Sequence, residues 1–283
     1  MARSCHIRSA YPVLNYVTVR VLVIGGTGTL GSVVVDELLA AGADVQIVSR
    51  GRRRRRNDVE HLIGDVRSGD GLEKAAAGAD TIVMCVDPAE EVVAAARRAG
   101  VAHLVYTSIV GIDRIPFFYY RRKLADERLI AASGVPWTVL RATQFHDLIA
   151  VMMRMLAKSP VMPLPAGGRF QPVDVRDVGA RLATLALSEP AGRAPDFGGP
   201  EVRMVKDLAH SYLSTAGKRR AIVPIWLPGK VFHAYRRGEN LTSEPTAGTI
   251  TFEQYLTEQF AAGRLPYSDA IRDYLRRTPK EMR

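Results

Sequence analysis

A run of glycines between residues 25 and 31 is the first feature of the sequence whose composition and spacing indicate chemistry. The run reads Gly-Gly-Thr-Gly-Thr-Leu-Gly, with a β-branched apolar segment before it and a helical apolar spacing after it. Glycine allows the tight turn and the close backbone approach that a pyrophosphate requires. The following helix directs free N–H groups and a positive dipole end toward that phosphate. We therefore predict a dinucleotide phosphate site, formed by Gly25, Thr27, Gly28, Thr29, Leu30 and Gly31.

The end of the second predicted strand, at residues 45–49, indicates which dinucleotide binds. Sites for NAD usually place an acidic residue there, which holds the ribose 2′-hydroxyl. This sequence has Ser49 and Arg50 instead, and the next acid along the chain is Asp58. A guanidinium suits the additional 2′-phosphate of NADP. The sequence therefore predicts NADP(H) rather than NAD(H), bound by Arg50 with Ser49 or Arg52 assisting.

Short apolar strands alternate with helices from residue 19 to residue 145. This alternation predicts an α/β fold of Rossmann type, a doubly wound parallel sheet with helices on both faces. Ligands of such sheets lie beyond the carboxyl ends of the strands. The pattern then loosens, with a proline- and glycine-rich loop at residues 160–168. We expect a dinucleotide-binding core at 19–145, a smaller C-terminal substrate or cap region packed on it at 146–283, and a disordered extension at 1–18.

Several longer stretches resemble the atypical, NmrA-like branch of the short-chain dehydrogenase/reductase superfamily. The resemblance covers most of the chain from residue 19 to residue 179. Its matching stretches are VLVIGGTGTLG (21–31), YTSIVGID (106–113), YYRRKLADERLIAASGVPWTVLRATQF (119–145) and FQPVDVRDVG (170–179). The resemblance implies an NAD(P)-binding Rossmann fold and hydride-transfer chemistry, although NmrA-like proteins also include members that bind the cofactor without turning it over.

The same resemblance assigns further residues to the cofactor. Two groups are expected near the adenosine, one after the third strand and one at the end of the fourth strand, which is predicted at residues 81–86. A third group follows the sixth strand and is expected at the nicotinamide end. In that order, the residues are Asp65 and Val66, Cys85 and Val86, and Thr143 and Phe145.

In the family that the sequence resembles, catalysis rests on a serine, a tyrosine and a lysine four residues after the tyrosine, here Ser108, Tyr119 and Lys123. The last two share one face of the helix predicted at residues 117–133. A free phenol has a pKa of about 10, and a nearby ammonium brings it toward the useful range. Lys123 is also expected to hold the nicotinamide ribose, and Ser108 a substrate carbonyl that Tyr119 protonates. Alternatively, Tyr119 only packs within its aromatic run PFFYY.

These residues favour an NADPH-dependent reductase of a carbonyl or quinone-like compound. Met152, Met153 and Met155 suit either the wall of a pocket for an apolar substrate or an ordinary core helix. His146 and Asp147 follow the sixth strand and either line the substrate cleft or are structural. The alternative function is a non-catalytic NADP(H)-binding regulatory protein that reports redox state to a partner protein.

The composition limits the remaining function classes. The chain has 283 residues, of which 47% are hydrophobic and 24% charged, as in an ordinary globular protein. Two cysteines provide neither a disulfide framework nor a metal cluster, and they favour a cytoplasmic setting. The net charge of +10 arises largely before residue 19 and in the arginines at 50 and 52–56. No nucleic-acid-binding motif accompanies that charge, so the expected partner is a small molecule rather than a nucleic acid. No segment reaches the roughly 20 apolar residues of a membrane span, and a homodimer is compatible with the sequence.

Overall fold

The computed structural model describes residues 18–51, 57–244 and 248–263. The expected extension, as far as residue 17, and the arginine run at 52–56, which contains Arg52, lie outside these residues. In chain order the strands are β1 (Arg20–Ile24), β2 (Asp44–Ser49), β3 (Glu60–Ile63), β4 (Thr81–Met84), β5 (His103–Ile109), β6 (Trp137–Ala142), β7 (Val161–Pro165), β8 (Arg169–Phe170), β9 (Gly192–Arg193), β10 (Arg203–Met204) and β11 (Ala221–Ile225). The helices are α1 (Thr29–Ala40), α2 (Leu72–Ala76), α3 (Glu90–Ala99), α4 (Phe118–Ala131), α5 (His146–Leu156), α6 (Val175–Ala186), α7 (Val205–Thr215), α8 (Lys230–Arg237) and α9 (Phe252–Ala261).

A seven-stranded parallel sheet in the order β3-β2-β1-β4-β5-β6-β9 forms the centre of the fold. The strand order reverses at β1, because β2 and β3 lie on one side of it and the later strands lie on the other. Open α/β sheets bind their ligands at this switch point, beyond the carboxyl ends of the strands. The doubly wound α/β fold that we expected from the sequence is confirmed.

The first strand shows how the sheet is buried on both faces. Successive side chains of a strand point to opposite faces. Val21 and Val23 pack toward α1 and α6, whereas Leu22 and Ile24 pack toward α2 and α3, and all four are buried. A strand that is covered on both faces must be apolar without interruption. This packing gives the loops that follow the strands a rigid platform.

The chain after Phe145 both extends the sheet and builds an apolar cluster of its own. Helix α6 packs against α1, and β9 pairs with β6 as the seventh strand. The central sheet therefore includes segments beyond residue 145, where we expected the dinucleotide-binding core to end. Helices α5, α7 and α9 form the other cluster, in which Met153 is buried, whereas Met155 is exposed. This packing supports the interpretation of the methionine segment as a core helix.

The expectation of a loop at residues 160–168 was wrong for residues 161–165. They form β7, which pairs in parallel with β11. Met162 and Leu164 are buried and Pro163 is exposed, so the segment alternates as a half-buried strand does. Proline is tolerated because β7 lies in a two-stranded sheet, where one side of the strand needs no ladder hydrogen bonds.

Strand β4 ends at Met84, two residues earlier than the sequence pattern predicts. Cys85, Val86 and Asp87 therefore lie in the loop that follows β4. This loop leaves the sheet beside the end of β1, because Ile24 and Met84 are partners in the parallel register. It brings the side chain of Asp87 toward the switch point of the sheet.

The described ranges hold no candidate membrane span and no candidate metal cluster. None of the helices there combines the length and the apolar composition that crossing a bilayer requires. No group of three or more His, Cys, Asp or Glu side chains there is arranged to hold a metal ion.

Candidate active site

The glycine turn between β1 and α1 has the geometry that a phosphate site requires. Gly25 has φ of +84°, a conformation that side chains other than glycine rarely adopt. A Cβ atom at Gly31 would collide with the carbonyl group of Gly25, so only glycine lets the helix approach the turn this closely. The Gly28 N–H donates to the Gly25 carbonyl over 2.8 Å and closes the turn. Helix α1 begins at Thr29 with Gly28 as its N-cap, and no described side chain caps it. These residues fit a dinucleotide pyrophosphate.

A cleft runs from this turn across the ends of the first four strands. It brings together most of the residues that the sequence assigned to the adenosine half of a cofactor, including Ser49, Arg50, Asp65 and Val66. The residues that line it are Ile24, Gly25, Thr27, Gly28, Val48, Ser49, Arg50, Gly64, Asp65, Val66, Arg67, Val86 and Asp87. Arg67 and Asp87 were not among the residues that we predicted from the sequence.

The polar groups at the adenosine end are organised by short local contacts. The N–H of Arg67 donates to the Asp65 carboxylate over 2.9 Å, which fixes the turn after β3. The N–H of Gly51 donates to the Ser49 hydroxyl over 3.4 Å. Arg50 itself is exposed. Arg50 and Arg67 thus both line the same cleft.

Asp87 connects two of the predicted catalytic residues at the other end of the cleft. Its carboxylate accepts a hydrogen bond from the Lys123 ammonium over 2.9 Å and from the Tyr119 hydroxyl over 3.4 Å. It also accepts one from the Tyr106 hydroxyl over 2.5 Å, and Lys123 donates to Tyr106 over 3.0 Å. Tyr106 is fully buried in β5, and Lys123 is 8% exposed. The structure therefore brings Tyr119 and Lys123 together around a carboxylate that the sequence analysis missed.

Burial and neighbouring groups shift the pKa values of the titratable side chains in this cluster. Burial by itself would raise the pKa of Asp87, but the Lys123 ammonium and the Tyr106 hydroxyl outweigh burial and hold that pKa below its usual range. Burial and the neighbouring Asp87 raise the pKa of Tyr106 far above its ordinary value, so that hydroxyl stays protonated. Burial also raises the pKa of Asp126, whose carboxylate lies 3.4 Å from the Tyr106 hydroxyl. Asp87 and Lys123 are thus the ion pair of the cluster.

Ser108 lies at the end of β5, two residues after Tyr106, and therefore points to the same face of the sheet. It is 2% exposed, and its hydroxyl has no hydrogen-bond partner among the described residues. No hydrogen bond joins it to Tyr119 or Lys123. A buried hydroxyl without a partner costs free energy until it meets an acceptor or donor. The role of Ser108 toward a substrate stays a prediction.

Helix α4, which carries Tyr119 and Lys123, is fixed to the sheet one turn further along. Glu127 is four residues after Lys123, so it shares the same helix face. It accepts two hydrogen bonds from Arg141 of β6, over 2.9 and 2.6 Å, and both side chains are buried. Asp113, in the loop before α4, lies 3.2 Å from the same guanidinium. This bidentate ion pair sets the register of α4 on the sheet.

The cleft lining does not include Cys85, Thr143 and Phe145, which the resemblance assigned to the cofactor, nor does it include Ser108, Tyr119 and Lys123. Burial raises the pKa of the Cys85 thiol to about 12, so it is not a nucleophile at neutral pH. The Thr143 hydroxyl is buried and donates to the Gln171 carbonyl over 2.5 Å. Phe145 is half-buried against the apolar cluster between the sheet and α1. Their contacts with a cofactor stay predictions.

His146 and Asp147 join elements within the C-terminal region. A ring nitrogen of His146 lies 2.9 Å from the Ile250 carbonyl, and Tyr255 of α9 donates to the Asp147 carboxylate over 3.0 Å. Both residues are 1% exposed. The structure supports the structural alternative for this pair rather than the cleft-lining one.

Comparison with known proteins identifies a family, and reductases are among the similar proteins. The model of a family described as NAD(P)H-binding matches residues 25–168. A (4-alkanoyl-5-oxo-2,5-dihydrofuran-3-yl)methyl phosphate reductase of Streptomyces griseus subsp. griseus is 33% identical over 193 residues, which are 64% of this chain and 68% of that protein. An NAD(P)H azoreductase of Xenophilus azovorans is 27% identical over 222 residues, 73% of this chain and 77% of that protein.

Solved structures share the fold over most of the chain. The NADPH-dependent quinone oxidoreductase QOR2 of Escherichia coli, solved with NADPH, superposes with a TM-score of 0.74 at 18% identity, covering 85% of this chain and 99% of that one. The triphenylmethane reductase of Citrobacter sp., solved with NADP(H), gives a TM-score of 0.70 at 22% identity, covering 85% and 99%.

Proposed function

The chain belongs to the NAD(P)H-binding family, and from this premise we propose that it is an NADPH-dependent reductase of a carbonyl or quinone-like small molecule. The observation that carries the proposal is the meeting of Tyr119 and Lys123 at the carboxylate of Asp87, a residue that lines the cleft beginning at the glycine turn. A phenol, an ammonium and a dinucleotide cleft in one place are what proton-coupled hydride transfer needs.

Preference for NADP(H) over NAD(H) is supported by the charges at the adenosine end. Arg50 and Arg67 line the cleft, and the end of β2 carries no carboxylate there. A 2′-phosphate would gain charge-assisted hydrogen bonds from these guanidiniums, whereas the 2′-hydroxyl of NAD would lack its usual acidic partner.

In the proposed reaction the protein supplies positioning and a proton. When bound, the cofactor supplies the hydride. The Tyr119 hydroxyl gives its proton to the substrate oxygen as negative charge develops there, and the Ser108 hydroxyl donates a second hydrogen bond to that oxygen. Lys123 has three N–H donors, of which two reach Asp87 and Tyr106, so one remains for a ribose hydroxyl.

The surroundings of Tyr119 support an apolar substrate, covered by the C-terminal region. Tyr119 packs at the edge of an apolar cluster that the loop after β5, α4 and α8 form together, with Ile112, Ile115 and Ala234 among its buried members. The hydroxyls of Tyr120 and Tyr235 lie 3.1 Å apart and connect α4 with α8. A substrate that reaches Tyr119 therefore meets apolar side chains, and α8 forms part of the cap.

The test is NADPH oxidation, followed by absorbance, with a panel of quinones and small carbonyl compounds. We expect turnover by the natural chain and a loss of about 10²- to 10⁴-fold in kcat for Tyr119→Phe. Tyr212→Phe is the matched control, because Tyr212 is a buried phenol of α7 in the separate C-terminal cluster. Unchanged turnover in Tyr119→Phe would refute the proton-donor role. Tight NADPH binding without turnover of any compound would favour the regulatory alternative.

A further inference from the structure

The Asp87 carboxylate contacts both Tyr119 and Lys123, and none of the sequence motifs assigned it a role. We propose that Asp87 is a positioning residue: it balances the charge of Lys123 beside Tyr119 and holds the Tyr119 proton until a substrate oxygen takes it. The proposal rests on the proposed function, in which Tyr119 is the proton donor.

The hydrogen bonds of the cluster fix which oxygen of Asp87 faces Tyr119. One carboxylate oxygen, Oδ1, accepts from both Lys123 and Tyr106. The other, Oδ2, is left to accept from Tyr119. Tyr106 is fully buried in the central sheet, so its hydroxyl is an immobile anchor for Oδ1. The carboxylate is therefore held in the orientation that aims Oδ2 at Tyr119.

The sign of the electrostatic effect follows from this arrangement. An ammonium alone beside a phenol favours loss of the phenol proton, whereas an accepting carboxylate favours its retention. The Lys123 ammonium lies 2.9 Å from the Asp87 carboxylate. The negative charge of Asp87 therefore largely cancels the positive potential of Lys123 at the Tyr119 hydroxyl. A proton donor must carry its proton before the reaction starts, and the hydrogen bond to the Asp87 carboxylate favours that form of Tyr119.

The other titratable groups that face the cluster do not replace Asp87. Asp126 of α4 is buried, burial raises the pKa of its carboxyl group, and its hydrogen bonds come from the Tyr106 hydroxyl and the Ala89 N–H. The Cys85 thiol, in the loop that carries Asp87, has its pKa raised to about 12 and is neutral. Tyr106 of β5 stays protonated. Arg122 of α4 acts on Asp126 and is exposed, so solvent screens its charge.

The experiment measures ionisation of Tyr119 directly. The ultraviolet absorbance of phenolate is titrated against pH, and the same titration of Tyr119→Phe is subtracted to isolate this one phenol. In Asp87→Asn, an isosteric change that removes the negative charge, we expect the Tyr119 midpoint to move about one unit or more to lower pH. Lys123→Gln removes the opposite charge and is expected to move the midpoint to higher pH. If Asp87→Asn does not fold, Asp87→Ser, which also removes the negative charge, decides the proposal by the same shift to lower pH.

The matched control is Asp126→Asn, which removes a carboxylate that accepts hydrogen bonds from the Tyr106 hydroxyl and from the Ala89 N–H. Its shift of the Tyr119 midpoint is expected to be smaller than that of Asp87→Asn. A midpoint that is equal in the natural chain and Asp87→Asn, or higher in the variant, would overturn the proposal. So would an Asp126→Asn shift as large as that of Asp87→Asn.

Turnover gives a second measure and separates this proposal from the proposed function. The alkaline limb of the rate of NADPH oxidation should move to lower pH in Asp87→Asn, with a larger fall in kcat than rise in KM for the substrate. If the natural chain reduces no compound, the reductase proposal fails, while the absorbance titration still decides the role of Asp87.

Discussion

Arg50 is the residue whose charge most directly concerns cofactor choice. It follows β2, lines the cleft with Ser49 and Arg67, and is exposed. An exposed guanidinium contributes little to folding by itself, but it binds a phosphate dianion with charge-assisted hydrogen bonds. Its effect should therefore appear in binding of the cofactor rather than in stability.

Arg50→Glu is expected to raise KM for NADPH about ten- to a hundredfold and to change KM for NADH much less. The reason is the loss of a hydrogen bond to a charged group, about 1.5 to 3 kcal/mol, together with repulsion between the new carboxylate and the 2′-phosphate. Initial rates with each cofactor give the ratio. Arg219→Glu, an equal charge change at an exposed residue outside the cleft lining, should leave the ratio as it was. An unchanged ratio in Arg50→Glu would contradict the assignment.

Residue types in the sequence indicated the phosphate-binding half of the site, but they did not indicate Asp87 at the other end of the cleft. The glycine turn, Ser49 and Arg50 were predicted because turn geometry and phosphate charge demand particular residues at fixed places after a strand. Asp87 was missed because one carboxylate after a strand looks like any solvated acid. Its importance comes from Lys123 and Tyr106, which are 36 and 19 residues away in sequence. Only the fold brings these three side chains together.

At the scale of elements, a buried carboxyl group lies where helices α5 and α9 pack against each other. Asp147 is 1% exposed and accepts from Tyr255, while its second oxygen has no partner among the described residues. Burial raises its pKa from 3.8 to about 6. The folded state therefore binds this proton more tightly than the unfolded state does, and its contribution to stability is lost as pH rises from about 4 through about 6.

Asp147→Asn is expected to be more stable than the natural chain at pH 7, and the advantage should be smaller at pH 4. A shift of about two pKa units corresponds to about 2 to 3 kcal/mol, or an increase in Tm of about 4 to 10 °C. Thermal unfolding at both pH values measures it. Asp177→Asn is the control: its carboxylate accepts from Thr249 and Ile250, so losing that charge should lower Tm at pH 7. A Tm difference for Asp147→Asn that does not grow with pH would contradict the buried-charge explanation.

Elements were predictable where their hydrophobic pattern was continuous. The six strands of the first half and helix α4 were expected close to their observed places, because each has a clear pattern of buried apolar residues. Strand β7 was missed because its prolines resemble loop residues, and a two-stranded parallel pair has no local signal of its own. Its partner β11 is about 60 residues away in sequence, and the sequence analysis assigned no element there.

At the scale of the whole molecule, the alternation of strands and helices in the sequence was sufficient to predict the parallel sheet. Right-handed crossovers leave few arrangements of such a chain, and the observed order is one of them. The family resemblance drawn from the motifs is confirmed by the match to the NAD(P)H-binding family. The return of α6 and β9 to the sheet was not predictable from local pattern, since which face a later helix covers depends on contacts that are distant in sequence.

The central claim is that one cleft carries NADP(H) from the glycine turn to Tyr119 and Lys123, and a crystal structure of the protein with NADP⁺ tests it most directly. We predict the pyrophosphate at residues 25–31, the 2′-phosphate at Arg50, and Lys123 on a hydroxyl of the nicotinamide ribose. The Tyr119 hydroxyl should lie within about 4 Å of nicotinamide C4, close enough to reach a reacting oxygen. A nicotinamide directed away from Tyr119, or a Tyr119 hydroxyl packed out of its reach, would contradict the account.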